Sequence, residues 1–398
     1  MRTDSEGGPF KAALATTFLQ DSTRAARENG PLFRRPLFNM EFTFVCRADL
    51  VAELSDERRF VKNVPPRLEV TRAFLGDGIL TAETDDPSWR AGHEVLAAGF
   101  NQAAMRGHHT VMLDVARQLL AKWDREGDVV DVAADLARTT LEIIARAGFG
   151  HTFDSFERDR PHPFVIALSN VVLHGQQMAA CPPRLGQRAI ERNADDIAMM
   201  NDLVEEVIRS RHGEAGPDLL AMMLASGRLS PDNIRCQVLT LLTTGHETSY
   251  ATIAFALHYL LATPDVLART RAEVDAVWGE DASMPDFEQV GKLRYLRRVV
   301  DETLRLWPAT PCFARHARED TVLAEHYPLR ANMPLFILLP ALHREPLWGG
   351  APEAFNPERF LPERVRSARR TPTSHSEPGT APASAGSSPC TRSCSCSD

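Results

Sequence analysis

The chain has no excess of positive charge, no apolar leader and no uninterrupted apolar run, and each absence removes a class of function. Lys and Arg number 45 against 53 Asp and Glu, a formal net charge of −8 over 398 residues. That balance offers nothing to a phosphate backbone, so nucleic acid is not an expected partner. Residues 1–8 contain no signal core, and the one helical stretch long enough to cross a bilayer, Asn233 to Leu261, is broken by His246 and Glu247. The expectation is a soluble cytoplasmic protein with no membrane partner. Cys46, Cys181, Cys236 and Cys312 are widely scattered, as free thiols in a reducing compartment are, whereas Cys390, Cys394 and Cys396 crowd the end. No tandem repeat is visible. From Arg366 to Asp398 there is not one Val, Ile, Leu, Met, Phe, Tyr or Trp. Such a stretch buries too little to offset chain entropy, so residues 366–398 are expected to be disordered.

What is present suffices for a large core, at 43% hydrophobic and 25% charged residues. Aromatic and β-branched runs between Pro31 and Cys46 predict a short antiparallel pair. Apolar residues at three and four spacing predict helices over Arg47–Leu54, Ser88–Gly99, Thr110–Glu126, Val132–Ala147, Gln187–Arg211 and Phe287–Leu306. Two more start at Pro161 and Pro264, the first ended by Cys181-Pro182-Pro183. Ser230-Pro231-Asp232 caps the central helix, and Asp128 and Asp131 sit at another helix start. Met333 to Leu339 is a strand candidate. The fold class is mainly α with small β-sheets.

The central helix sets the chemical question. Between Val238, Leu241, Leu242 and Ile253, Phe255, Leu257, Leu260 lies Thr244-Gly245-His246-Glu247-Thr248. Gly weakens a helix and an unpaired buried carboxylate is costly, so this polar notch requires a use. Taken alone, a Gly-x-x-Thr is a Thr bonded back to its own helix, and a Glu-x-x-Arg is a solvated pair. Trp89 alone is core, and His93 is a helix-surface histidine.

Gly245-His246-Glu247-Thr248, Glu302-Thr303-Leu304-Arg305 and Phe355-Asn356-Pro357-Glu358-Arg359-Phe360 together resemble the cytochrome P-450 family of haem-thiolate monooxygenases. Gly76-Asp77-Gly78-Ile79-Leu80, Trp89-Arg90-Ala91-Gly92-His93 and Leu304-Arg305-Leu306-Trp307-Pro308 look like the haem domain of bacterial self-sufficient fatty-acid hydroxylases. The resemblance covers residues 25–365; residues 1–24 match poorly. It implies haem b, O2 and an apolar small-molecule substrate. It also implies electrons from NADPH through a diflavin reductase carrying FAD and FMN, which this chain does not contain.

By that resemblance Thr248 and Glu247 are the oxygen-activating pair, and Gly245 leaves room for the gas. Trp89, His93 and Arg315 are donors to the haem propionates. Leu80, Thr244, Thr310 and Cys312 line the substrate pocket, and Glu302, Arg305 and Arg359 form a structural network. Leu80 and Thr244 depart from the aromatic and alanine usual there, and the family's carboxylate-anchoring Arg and Tyr have no counterparts in Met40 to Phe44. The substrate class is left open.

The family's Phe-x-x-Gly-x-Arg-x-Cys-x-Gly motif, source of the haem-ligating thiolate, is absent, so the fold is expected to lack its ligand loop and the helix that follows. None of the last three cysteines has the required glycines and arginine. The genetic code offers an account. If the last base of each codon joins the first two of the next, one permitted translation of Thr371 to Asp398 is Ala-Tyr-Lys-Pro-Phe-Gly-Thr-Gly-Asn-Arg-Ala-Cys-Ile-Gly-Arg-Gln-Phe-Ala-Leu-His-Glu-Val-Val-Leu-Val-Leu-Gly. Its cysteine codon spans Pro382 and Ala383. The expectation is a frameshifted tail, natural or from a sequencing error, on a chain that is inactive as written. The alternatives are a non-catalytic remnant and an apolar-ligand binding protein.

Overall fold

Aromatic and β-branched residues on both sides of positions 38 and 39 extend and pair, and apolar residues at helical spacing build nearly everything else. The structure is a computed structural model that describes residues 18–37, 40–64, 66–127, 129–158, 160–178, 191–211, 216–279 and 285–370. In chain order come α1 (Phe18–Asn29), β1 (Leu32–Leu37), β2 (Met40–Val45), α2 (Ala48–Glu53), β3 (Phe60–Lys62), α3 (Pro66–Leu75), α4 (Pro87–Ala97), α5 (Gln102–Glu126) and α6 (Val132–Phe149). Then follow α7 (Pro163–Met178), α8 (Ala194–Ser210), α9 (Leu219–Ser226), α10 (Pro231–Ala262), α11 (Pro264–Trp278), α12 (Phe287–Val290) and α13 (Arg294–Leu306). The last are β4 (Cys312–Ala317), β5 (Thr321–Leu323), β6 (Tyr327–Leu329), β7 (Leu335–Leu338), α14 (Leu339–Leu342) and α15 (Pro362–Arg370). The chain is mainly α with small sheets, as its sequence implies.

Two units result. One contains Met1–Asn63 and Thr310–Ala354 and carries the sheets. Five strands run β1-β2-β7-β4-β3, with β5 and β6 as a separate pair. Only the β2–β7 pairing is parallel, setting Val45 opposite Ile337, while β4 runs antiparallel to β7 with Phe313 opposite Ile337. Val45, Leu50, Phe60, Leu335 and Ile337 are buried together under this sheet.

The other unit contains Val64–Ala309 and Phe355–Val365. Its core joins Leu141 and Phe149 of α6, Phe164 of α7, Met200 and Val204 of α8, Leu220 of α9 and Val238 of α10. Helix α6 packs against both α5 and α10. Caps explain several starts: the Asp131 side chain accepts from the Ala134 amide at 3.1 Å and Ser230 from Asn233 at 3.1 Å, with Pro231 in the first turn.

Local pattern misjudged some boundaries. The predicted helix over Phe287–Leu306 is two, α12 and α13, parted at Gly291. α5 starts at Gln102 rather than Thr110 because the Asn101 side chain caps it, accepting from the Ala104 amide at 2.9 Å. The central helix runs for 32 residues with the polar notch inside it, as the sequence implies. Among the described residues no single helix is long and apolar enough to cross a membrane. Helix α15 continues to Arg370, past the boundary at 366 expected for the disordered tail. Residues 1–17, Asp128, Cys181 to Pro183, the predicted start at Gln187 and residues 371–398 lie outside the described residues.

Candidate functional site

The polar notch is absorbed by the helix that carries it. Hydroxyls donate to carbonyls one turn back: Thr244 to Thr240 at 2.8 Å, Thr248 to Thr244 at 2.8 Å, Ser249 to Gly245 at 2.8 Å and Thr252 to Thr248 at 2.7 Å. The His246 ring meets the Leu242 carbonyl through Nδ1 at 2.8 Å, which makes that nitrogen the protonated one. Burial pushes the His246 pKa down, so the ring is neutral at pH 7. Polar side chains thus satisfy themselves without breaking the ladder.

Gly245 has a second use. A Cβ there would stand 3.3 Å from Ile144 Cγ1, so the missing side chain lets α10 and α6 approach closely. The Thr140 hydroxyl of α6 reaches the His246 carbonyl at 3.1 Å across this contact. Thr244, Glu247 and Thr248 stay half-buried. Burial, then the Glu247 charge, raise the Tyr250 pKa, which places that carboxylate beside the phenol.

The loop bearing Leu80 is clamped onto the N-terminal half of α10. The Ile79 amide donates to Gln237 Oε1 at 3.0 Å, Gln237 Nε2 to Asn233 Oδ1 at 3.2 Å, and Asn233 Nδ2 to the Asp77 carbonyl at 3.2 Å. Gly76 has φ +66°, and a Cβ on it would collide with Cys236 Sγ; one on Gly78 would collide with Thr240 Oγ1. Trp89 Nε1 donates to the Ile79 carbonyl at 3.0 Å. Its ring stacks on His93 at 5.1 Å between centroids and 20° between planes. Both backbone groups of Ile79 are therefore held by side chains, and half-buried Leu80 packs on the helical core.

Glu302 and Arg305 are 0% and 2% exposed. Arg305 grips the carboxylate with Nε to Oε2 at 2.7 Å and Nη2 to Oε1 at 2.8 Å. The Asn356 amide donates to Oε1 at 2.8 Å and Arg359 Nε at 3.3 Å. Glu358, in the same turn, takes Arg269 at 2.6 Å and Arg298 at 3.1 Å, and both guanidinium groups lie over the Tyr295 ring. This second cluster and the Gln237–Asn233 clasp were not foreseen. An amide pair four apart in an apolar helix was the available signal for the clasp; nothing local marked Tyr295.

Arg315, Thr310 and Cys312 belong to the sheet unit. Arg315 Nη1 donates to the Phe60 carbonyl at 3.2 Å, and burial lowers its pKa against the opposing pull of Glu57. Thr310 is exposed just before β4. Burial, then Cys312 and Glu345, push the Cys46 thiol up to about 12, and burial also raises Cys236. Neither is a thiolate at neutral pH. To serve a haem group, the Trp89 indole and the Thr248 hydroxyl would each have to leave the backbone carbonyl it now meets.

The family model described as Cytochrome P450 matches residues 10–390. A bifunctional cytochrome P450/NADPH–P450 reductase 2 of Bacillus subtilis is 38% identical over 358 residues, covering 86% of this chain and 34% of that protein. The corresponding bifunctional protein of Bacillus cereus is 38% identical over 353 residues, 85% of this chain and 33% of its own. A self-sufficient cytochrome P450 monooxygenase of Phanerodontia chrysosporium is 32% identical over 372 residues, 89% of this chain and 35% of its own. The chain spans about a third of the length of these relatives.

Proposed function

The chain belongs to the cytochrome P450 family, and from that premise we propose that it descends from a monooxygenase domain acting on a fatty acid or similarly apolar molecule. Electrons would come from NADPH through a P450 reductase, as the names of the bifunctional relatives suggest. The observation that carries the reading is the buried Glu302–Arg305–Arg359 cluster, which ties the second and third motifs into one unit. The cytoplasmic location inferred from the scattered thiols belongs to the same proposal.

Haem, when bound, supplies the dioxygen activation on which the family's chemistry depends. This chain's residues would do the rest. The Thr248 hydrogen points to the Thr244 carbonyl, so its oxygen is free to accept; donating to a ligand requires χ1 to turn and release that carbonyl. Glu247, partly open to solvent, would return the proton. Trp89 must likewise leave the Ile79 carbonyl before its indole N–H can serve a propionate, with His93 beside it. Leu80 and Thr244 would shape the pocket, and Gly245 sets the helix spacing behind it.

The axial sulfur is where this chain departs from that reading. Cys46 and Cys236 are protonated, and residues 371–398 match the ligand loop only in a shifted frame. We therefore assign the chain as written a non-catalytic state, able at most to hold an apolar ligand. A ferrous–CO spectrum decides it: a thiolate-type Soret band from the chain as written would overturn this, and DNA unable to encode the loop in either shifted frame would remove the frame reading.

A further inference from the structure

Helix α6 meets α10 through Thr140 and Ile144, and its first turns border a second place. Where α5 ends, α6 begins and the turn at 154–158 passes, Lys122, Arg125, Asp135, Arg138, Phe156 and Arg158 line a cleft of about 640 Å³. That volume suits a small-molecule site. The cleft shares no residue with the notch of α10.

The acids of the cleft are already answered. Asp135, 2% exposed, takes Lys122 Nζ at 2.9 Å and Trp123 Nε1 at 2.9 Å, and Glu126 takes the same ammonium at 2.6 Å. Asp131 caps α6 through the Ala134 amide. The guanidinium groups are not answered. Among the described residues Arg125 and Arg138 have no hydrogen bond or ion pair, and Arg158 has only Asp154 at 3.6 Å. Half-buried Phe156 stacks on no other ring among the described residues. Three guanidinium groups on one cleft repel one another until an anion joins them.

We propose that this cleft binds a nucleoside di- or triphosphate, with the phosphates on Arg125, Arg138 and Arg158 and the base on Phe156. Planar guanidinium forks match phosphate oxygens in pairs, and an aromatic face accepts any base. An inorganic anion would leave the ring unused, and an uncharged ring would leave Arg125 and Arg138 without a counter-charge. Asp131, on the same cleft, opposes the phosphates and limits how tightly they are held.

The test is equilibrium dialysis of the full chain against ADP and against inorganic pyrophosphate at physiological salt. Saturable retention of one ADP per chain is expected, with pyrophosphate held about tenfold more weakly for want of a base. Arg125→Gln and Arg138→Gln should each weaken ADP about tenfold, the loss of one charge-assisted hydrogen bond. Phe156→Ala should weaken ADP about tenfold and leave pyrophosphate unchanged. Asp131→Asn, which still caps the helix, should tighten both, and Arg24→Gln in the sheet unit should change neither. Arg125 and Arg138 hold no described protein group, so their variants should keep the parent's circular dichroism and melting curve. No retention of ADP, or equal retention by Arg138→Gln, overturns the proposal. Equal affinity for ADP and pyrophosphate overturns the base contact and the nucleotide with it.

Discussion

Two carboxylates, one in each unit, one buried and the other half-buried, meet opposite fates. Glu302 is 0% exposed and receives both arms of Arg305, the Arg359 Nε and the Asn356 amide. Glu345 of the sheet unit has one short contact, accepting from the Ala48 amide at 3.1 Å, and its pKa is driven up to about 7 by burial. Burial alone does not decide whether a carboxylate belongs in a core. The number and charge of the donors around it do.

Removing Glu302 is the severest way to break that contrast. Glu302→Ala leaves Arg305 and Arg359 buried without a counter-charge, a cost of about 3–5 kcal/mol, and soluble protein should fail to accumulate. Normal yield with an unchanged melting curve would show the cluster to be dispensable. Loss of a neutral buried partner should cost less. Gln237→Leu strips the Ile79 amide of its acceptor for about 1–3 kcal/mol, and hydrogen exchange at that amide should accelerate while α10 stays protected.

Glu345 supplies the pH test. Its folded pKa of about 7 lies above the ordinary carboxylate value of 4.5, so the folded state holds the proton more tightly than the unfolded one. Stability is then fullest below pH 4.5 as far as this group is concerned, and falls as pH rises toward 7. Partial exposure limits the change to about 1–2 kcal/mol. Glu345→Gln should flatten that part of the stability–pH curve; an unaltered slope would show that another group titrates there. The smallest effect belongs to Thr248→Val, which loses only a bond to a carbonyl already in the helix ladder. Its melting curve should shift by no more than about 0.5–1 kcal/mol, and a larger loss would mean that the hydroxyl has a partner beyond Thr244.

Legibility followed the range of the forces involved. Helices α6 and α10 and the β1–β2 pair were readable because periodicity and capping act within a few residues; Ser230 and Asp131 did as their positions implied. Glu302, Arg305 and Arg359 were readable through motif order, although only packing showed that the Asn356 amide completes the site. The notch at His246 and Glu247 interrupts the apolar run without interrupting the helix. Short hydroxyl side chains bond their own carbonyls and keep the ladder whole.

The sequence by itself determined the family and the helical class, because each depends on residue order. Only the tertiary structure decided which polar groups are paid in full. It gave Glu302 its donors, left Glu345 with one contact, turned the bare side of Gly245 toward Ile144 and left Leu261 open to solvent. Hydrogen bonds and burial depend on what lies across a helix face, and residues far apart in the chain supply it.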